Sequence, residues 1–495
     1  MAAPRRPPGA PTHVLSRWLF LRLLALSYLA AFLSLSVQVS GLVGSQGILP
    51  AHTLLEWIRA RVGIERYWIA PTVFWLGDGD LALSGVCIGG AALAGLLLVG
   101  VAPVPVLALL WALYLSLAVV GQVFLGYQWD ALLLETGLLA VFLAPGGLRP
   151  RRGREAPPPL VTIWLFRWLV FRLMFGSGLV KLLSGDETWR SLTALRYHYW
   201  TQPLPTWVGW YAAHLPAWVH TASVGMMFAV ELVAPFLLFG PRRFRRMAFG
   251  PLLGLQILIA ATGNYAFFNL LAAALCLFAL EDADLPESWR ARCPPPGAGT
   301  SPRWPPKAVL YPVAVIIALA SGGEMMARLG VAPPAPVTAL RRVVAPLASI
   351  NSYGLFAVMT SSRPEIIVEG SDDGQTWKAY EFKWKPGEPT RRPAFVAPHQ
   401  PRVDWQMWFA ALGSCEDNAW FVQLLGRLLE GSPPVLALLA RDPFPERPPR
   451  FIRAELYEYT PTDLATLRRE GRWWRREARG DYCPVLSAED LASGP

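Results

Sequence analysis

The sequence predicts a polytopic α-helical membrane protein of about nine transmembrane helices, followed by a C-terminal, mainly β soluble domain with one or two helices. The 495 residues are 53% hydrophobic and only 16% charged, with a mean hydropathy of +0.34, which is too little charge for a soluble protein's surface. Apolar runs of membrane-spanning length recur up to about residue 328, whereas alternating β-type patterns follow residue 340.

The nine predicted spans are apolar runs of roughly 17 to 25 residues, the length a helix needs to cross about 30 Å of hydrocarbon. They are residues 18–39, 80–101, 105–126, 129–146, 160–183, 218–240, 246–262, 265–281 and 308–328. The weakest are 129–146, 246–262 and 265–281, which could instead be re-entrant or tilted. The first run follows a basic start but is too long for a cleaved signal peptide, so it predicts an uncleaved signal anchor.

Arginine clusters predict the orientation of the spans. They are Arg5 and Arg6 with Arg17, then residues 148–155, then residues 241–246. Nine helices place all three clusters on one side, which the positive-inside rule makes the cytoplasmic side. The soluble domain would then face the endoplasmic reticulum lumen in a eukaryote, or the periplasm from the inner membrane in a bacterium.

The chain therefore divides into four predicted parts. They are a basic cytoplasmic N-terminus (1–17), a transmembrane domain (18–328) with an exoplasmic loop (184–217), a Pro-rich linker (329–340) and an exoplasmic β-rich domain (341–495). Within the last part, residues 364–384 are typical of two strands joined by an Asp/Gly turn, and residues 450–460 and 472–486 are typical of further strands. Residues 419–431 have helical apolar spacing that ends at a glycine.

Charge and cysteine usage exclude two classes of partner. The net charge of +10 falls in short clusters between apolar runs, whereas nucleic-acid binding needs it on one soluble face, so we expect a lipid bilayer as partner and no nucleic acid. The five cysteines form no CxxC pair, which predicts no metal site, and we expect no cofactor. Cys415 and Cys483 alone would reach an oxidising compartment, so they form a disulfide or remain buried thiols.

Ionisable residues inside predicted spans are costly, so each is either paired or functional. The candidates are Asp130, Glu135, Arg167, Arg172, Lys181 and Glu231. Opposite signs predict that the two glutamates pair with arginines across the bundle, while a proton relay or a substrate pocket is the alternative. Asn264 and Asn269 are typical of turn or cap residues at a helix junction, with ligand contact as the alternative.

The loop 184–217 is rich in aromatic residues and prolines. Its candidates are Asp186, Trp189, Arg196, His198, Tyr199 and Gln202. Tryptophan and tyrosine at this density are typical of an interfacial hairpin on the outer leaflet. Because His198 titrates near neutral pH among charged neighbours, a polar pocket capping the helix bundle is an equal alternative.

A second arginine and tryptophan cluster lies in the predicted soluble domain. It comprises Arg391, Arg392, Arg402, Asp404 and Trp405. Exposed aromatic residues beside arginines are typical of binding hot spots, which makes these residues candidates for contact with a client protein. They could equally pack beneath the sheet. No nucleophile and base stand in a recognisable catalytic arrangement, so no catalytic residue is assigned.

Several long motifs follow one another along the chain. They are YQWDALLLETG (127–137), residues 166–206, GNYAFFNLL (263–271), SYGLFAVMT (352–360), YEFKWKPGEPTRRP (380–393) and PRVDWQMWFAAL (401–412). Together and in this order they closely resemble the lipase maturation factor family. The membrane part is also distantly similar to the transmembrane domain of vitamin K-dependent γ-carboxylases.

The resemblance implies a non-enzymatic membrane protein that assists the folding, assembly or maturation of secreted lipases or other secretory clients on the exoplasmic side. The γ-carboxylase similarity implies an alternative, a membrane-embedded enzyme for a lipid-soluble or quinone-type substrate. Its motivating residues are Glu135, Arg167, Arg172, Lys181 and His198, provided that they share one pocket.

Overall fold

The structure is a computed structural model that describes residues 12–150, 155–291 and 304–492. Helices of the described N-terminal two-thirds form a bundle. They are α1 (Val14–Ser36), α2 (Asp80–Val99), α3 (Pro103–Val120), α4 (Gln128–Leu143), α5 (Leu160–Leu183), α6 (Ala217–Leu232, continued by a 3-10 segment to Phe239), α7 (Arg242–Thr262), α8 (Phe268–Cys276) and α9 (Lys307–Arg328).

Of these nine described helices, seven are long and apolar enough to cross a membrane. The two exceptions are α4 and α8. The expected spans 129–146 and 265–281 correspond to α4 and α8, which have 16 and 9 residues, so helix length does not confirm the count of nine. Both short helices are almost wholly buried within the bundle, where packing rather than lipid solvates their side chains.

The charged helix α5 lies at the centre of the bundle. In the most apolar 18-residue stretch of α5, 67% of the residues are buried. The corresponding fraction is 22% for α7 and 28% for α2. The peripheral helices expose large apolar side chains such as Leu81, Ile88 and Ile257, as a lipid-facing surface requires. The ionisable residues on α5 therefore point into protein rather than into lipid.

One end of the bundle, which we call the basic end, gathers arginine-rich loops. Arg17 pairs with Glu155 at 2.5 Å, and Arg242 pairs with Asp284 at 2.7 Å. The Asp282 carboxylate accepts hydrogen bonds from the first backbone N–H groups of α1, at 2.7 to 3.0 Å, and so binds the N-terminal end of that helix. The arginines at 5, 6, 151, 152, 154, 292 and 303 and Cys293 lie outside the described residues.

The opposite end, which we call the domain end, carries the soluble domain. Tyr127, immediately before α4, donates from Oη to Gln406 Oε1 at 2.7 Å. Asn264, immediately after α7, donates to the Ala394 carbonyl at 2.8 Å. The α1–α2 connection and the loop 184–217 also lie here, with helices Val39–Val43, Ala51–Arg61, Arg66–Ile69, Glu187–Arg190, Leu195–Thr201 and Trp207–Ala213.

The predicted linker 329–340 is partly helical. A helix, α10 (Ala335–Val344), follows the prolines and packs against α9, where Arg341 pairs with Glu324. A Cβ atom at Gly323 would lie only 2.5 Å from a Val337 methyl carbon, so the close approach of the two helices requires glycine there. Irregular linker structure is therefore confined to the first residues of the predicted segment.

The soluble domain combines two small sheets with helices. Strands β1 (Pro364–Ser371), β2 (Lys378–Ala379), β5 (Phe451–Pro461) and β6 (Trp474–Ser487) form an antiparallel sheet of order β2-β1-β5-β6, and β3 (Glu381–Phe382) pairs with β4 (Leu439–Arg441). The predicted strands and the helix α12 (Ala419–Leu429) are present. The domain is more helical than predicted, with α11 (Arg402–Ala411) and the shorter helices Pro433–Leu436, Leu464–Glu470 and Ala488–Ala492.

Candidate functional site

Asp130 of α4 and Arg402 of α11 join the bundle to the soluble domain. Two charge-assisted hydrogen bonds connect them, Nη1 to Oδ2 at 2.6 Å and Nη2 to Oδ1 at 2.8 Å. Tyr114 adds a donor to Asp130 at 2.5 Å, and Arg402 also donates to the Phe124 carbonyl at 2.7 Å. The two charged side chains are 1% and 0% exposed, so this is a buried ion pair across two domains.

A second buried arginine, Arg363, binds the end of the helix Leu195–Thr201. The following prolines prevent the helix from continuing, which leaves its last carbonyl groups without helical partners. Arg363 donates to the carbonyls of Trp200 at 2.7 Å and Pro203 at 2.9 Å, and it pairs with Glu365 at 2.7 Å. The arginine, which sequence reasoning missed, therefore attaches the loop 184–217 to the soluble domain.

Gln202 and His198 lie beneath this contact. Gln202 donates to the Thr262 carbonyl at 2.8 Å and accepts from the Tyr265 hydroxyl at 2.8 Å, and His198 Nε2 lies 3.1 Å from the same hydroxyl. A Cβ atom at Gly263 would lie 2.2 Å from Gln202 Oε1, so a larger residue there would displace the Gln202 side chain from these contacts. Burial and then the nearby Lys181 charge lower the pKa of His198 to about 4, so its imidazole is neutral near pH 7.

The two candidate asparagines have different environments. Asn264 donates to the carbonyls of Leu204 and Ala394 and accepts from the backbone N–H of Val396 at 2.7 Å. Its amide thus binds the loop and the soluble domain at once. Asn269 instead donates to Gln256 at 3.0 Å inside the bundle.

Two more loop candidates, Asp186 and Trp189, contact the soluble domain. Asp186 caps the helix Glu187–Arg190 and accepts from the Met359 backbone N–H at 2.8 Å, and Trp189 donates to the Phe356 carbonyl at 3.0 Å. Burial alone would raise the pKa of Asp186, but hydrogen bonds from Thr188 and Met359 hold it below its ordinary value. Arg196 is exposed and Tyr199 is half-buried. The loop therefore lies between the helix bundle and the soluble domain and contacts both, rather than lying open on the outer leaflet.

We call this contact region the junction. It comprises the loop 184–217, the α7–α8 turn, the domain ends of α1, α3 and α4, and the facing residues of the soluble domain. Trp408 donates to the Thr201 carbonyl and Trp210 to the Trp473 carbonyl, at 2.7 and 2.8 Å. The polar groups named above bind one another, so their chemistry is that of a structural attachment that fixes where the soluble domain lies.

The ionisable residues within the bundle form separate contacts instead of one pocket. Glu135 pairs with Arg172, as opposite signs predict, and also accepts from the Tyr353 hydroxyl at 2.7 Å. Glu231 pairs with Lys181 at 2.9 Å and not with an arginine.

Arg167 donates to the Phe278 carbonyl at 3.0 Å, and Arg245 and Glu281 of the basic end are its charged neighbours. His198, by contrast, belongs to the junction. The described residues therefore divide the five candidates among separate contacts, although Lys181 lies near enough to His198 for its charge to lower the pKa of that imidazole.

Three of the five client-contact candidates are buried, as the alternative of packing beneath the sheet predicts. Arg402, Asp404 and Trp405 are 0%, 3% and 2% exposed, because α11 packs against α4 and the sheet. Asp404 accepts from the backbone N–H groups that follow β3, yet burial raises its pKa overall. Arg392 is exposed, with its guanidinium 4.9 Å from the Trp207 ring centre, and Arg391 is half-buried.

Cys415 and Cys483 are joined in a disulfide, with their Cα atoms 5.5 Å apart. Cys87 and Cys276 are buried free thiols within the bundle. Across the ranges that the structure describes, no three His, Cys, Asp or Glu side chains are arranged to hold a metal ion.

Sequence reasoning missed several partners besides Arg363. Tyr114, Gln38 and Tyr353 each satisfy a buried polar group of a distant segment, and Tyr353 lies in a motif that carried the family resemblance. Of these three, only Gln38 could have been identified from sequence, because a polar residue at the end of a strongly apolar run needs a hydrogen-bond partner.

Comparison with known proteins gives two family matches. Residues 15–287 match the lipase maturation factor transmembrane domain, and residues 349–484 match the lipase maturation factor C-terminal domain. The chain is 36% identical to lipase maturation factor 2 of Homo sapiens, over 96% of this chain and 83% of that protein. It is 34% identical to lipase maturation factor 1 of Bos taurus, over 99% and 94%. No solved structure matches the chain.

Proposed function

The chain belongs to the lipase maturation factor family, and on that premise we propose that it assists the folding, assembly or maturation of secreted lipases at the domain end of its helix bundle. The domain end is proposed to face the endoplasmic reticulum lumen or the periplasm. The named activity of the relatives and the coverage of both family domains support this proposal. Secretory proteins other than lipases are further proposed clients.

The proposed topology has nine passages, with α4 and α8 crossing as short buried helices. Gln128 at the start of α4 binds the Gly354 backbone of the soluble domain, whereas Leu148 after it binds the Ala102 backbone N–H beyond α2. Likewise Asn264 before α8 binds the soluble domain, and Glu281 after it pairs with Arg245. These contacts at opposite ends support end-to-end passage, and the basic residues then mark the cytoplasmic side.

The single observation that carries the function is the buried attachment of the soluble domain to the loop 184–217. Asp130–Arg402 and the Arg363 contacts fix two segments that are far apart in sequence into one surface on the proposed exoplasmic side. A protein that acts by holding clients needs such a fixed surface, whereas an enzyme needs a substrate cavity with convergent reactive groups.

The test is removal and restoration of the chain in its own cell. Without it, secreted lipase is expected to have lower specific activity and less assembled protein at equal synthesis. Wild type and the Arg242→Met variant, changed at the exposed basic end, should restore both, and Arg402→Met should restore less. Unchanged specific activity of every secreted lipase in the deletion strain would contradict the proposal.

A further inference from the structure

The soluble domain contains a groove rich in arginine that the junction does not use. It has a volume of about 480 Å³ and lies where the helix Leu464–Glu470 meets the start of β6. Four arginines line it, at 469, 472, 475 and 476, with two glutamates, at 388 and 470. The lining therefore has a formal charge of +2 (four arginines minus two glutamates), within a stretch, 468–479, that carries six arginines.

The arginines of the groove are only weakly neutralised. Glu470 lies 2.7 Å from Arg469 and 3.9 Å from Arg472, and Glu388 lies 3.8 Å from Arg476. Arg475 makes no ion pair within 4.0 Å in the described part of the chain. Exposed pairs of this kind contribute little to stability, so a ligand carboxylate can compete for these guanidinium groups.

The groove is continuous with the junction. The backbone carbonyl of Thr462, which lines the groove, accepts a hydrogen bond from His214 Nε2 at 2.7 Å. The carbonyl of the neighbouring Trp473 accepts one from Trp210. Both donors belong to the loop 184–217, so the arginines extend the surface that we propose for clients.

A contrast within the molecule indicates which anion the groove binds. Residues 57–76, before α2, combine arginines with Trp57, Ile64 and Leu76, which are 54%, 83% and 94% exposed, as a surface in contact with lipid requires. None of the eleven described residues that line the groove is an exposed large apolar side chain. The groove therefore suits an anionic partner in water rather than the bilayer.

We propose that this groove binds an acidic segment of a secretory client protein, through guanidinium–carboxylate pairs. The inference rests on the proposed function for the identity of the partner. Arginine guanidinium groups bind carboxylates in a planar, two-point geometry, and threonine hydroxyls in the lining can bind the backbone of such a segment.

The experiment measures binding of a fluorescent peptide of alternating glutamate and serine to the full chain in phosphatidylcholine nanodiscs. The peptide with glutamine in place of glutamate serves as the uncharged probe. Arg472→Glu with Arg475→Glu is expected to weaken binding about tenfold or more, and Arg475→Gln alone, which breaks no ion pair, by less.

The matched control is Arg447→Glu with Arg450→Glu, an equal change of charge on the same domain. These residues precede the start of β5, whereas the groove lies beside its end, about 30 Å away along the strand. The control should bind within about twofold of wild type. Equal affinity for both peptides, or an equal loss in the control variant, would overturn the proposal.

Two further outcomes separate the partner classes. Loss of peptide binding by wild type when phosphatidylglycerol is added to the nanodisc would show a lipid headgroup in the groove and overturn the peptide assignment. A groove variant that loses the peptide but still matures lipase fully would overturn the groove as a client site and leave the proposed function standing.

Discussion

The two ends of the helix bundle use the same residue type for different purposes. At the basic end, Arg242 and Arg246 are 44% and 61% exposed, and both pair with Asp284, also of the bundle. At the domain end, Arg402 and Arg363 are wholly buried, and they bind Asp130 of the bundle and the loop 184–217, respectively. These exposed arginines at the basic end therefore pair only within the bundle, and in the proposed topology they mark the cytoplasmic side, whereas the two buried arginines at the domain end attach the soluble domain.

The largest effect is expected from a variant that breaks the Asp130–Arg402 pair, at the centre of the attachment. Arg402→Met leaves the Asp130 carboxylate buried without its cation, which should lower the free energy of unfolding by about 3 to 5 kcal/mol. Arg242→Met at the basic end should cost no more than about 1 kcal/mol. Denaturation in mixed micelles measures both.

The double variant Asp130→Leu with Arg402→Met controls for the loss of packing. It should regain much of the stability, because it leaves no buried charge unpaired. Equal losses for the variants at the two ends would remove the distinction between them.

The next prediction concerns the disulfide of the soluble domain, which the helix bundle lacks among its described residues. Replacing Cys415 and Cys483 by serine opens a loop with a sequence separation of 68 residues, and we expect a loss of about 2 to 4 kcal/mol in the domain alone. Cys87→Ser, inside the bundle, is the control for a thiol that forms no bond. Thiol trapping of the membrane-bound protein should find the pair oxidised; a fully reduced pair would contradict an exoplasmic domain end.

A smaller effect is expected from Gln202. Gln202→Met keeps the volume but removes the donors to the Tyr199 and Thr262 carbonyls and the acceptor for the Tyr265 hydroxyl. Buried groups left without partners should cost about 1 to 3 kcal/mol. Gln375→Met, on an exposed turn, should cost almost nothing, and a similar stability of the two variants would show that the network contributes little.

The last expected effect depends on pH. The pKa of His198 is about 4 in the folded chain against 6.5 ordinarily, so the neutral ring stabilises the fold above pH 6.5 and this stability is lost as pH falls toward 4. His198→Gln should flatten that part of the pH–stability profile. His52, exposed beside Asp78, has a raised pKa, so any contribution it makes has the opposite sign. Unchanged acid sensitivity in His198→Gln would contradict the assignment.

Local sequence patterns predicted most elements but not the junction. Hydropathy located α1, α5 and α9, and alternation located β1 and β5, because each signal depends on residues within one element. The partner of Asp130 lies 272 residues away on a helix that was not predicted. No local pattern encodes such a contact.

The same limit explains why sequence patterns left two alternatives open at the site. Arg402 and Trp405 resembled a surface hot spot because charge and aromatic side chains stand together, yet the stretch is a helix whose turns bury both. The loop 184–217 resembled an interfacial hairpin because tryptophan suits that environment, but the same indole N–H groups bind carbonyls of the soluble domain. Composition identifies amphipathic side chains without identifying their partner.

The proposed function is tested most directly by measuring on which side of the membrane each end of the helix bundle lies. Single cysteines at Arg479 in the soluble domain and Arg149 at the basic end are labelled in intact and in permeabilised compartments with a membrane-impermeant thiol reagent, with the other free cysteines replaced by serine. We predict that Arg479→Cys reacts from the exoplasmic side and Arg149→Cys only from the cytoplasmic side. Labelling of both from one side, or in the reverse sense, would contradict the placement of the client surface at the domain end.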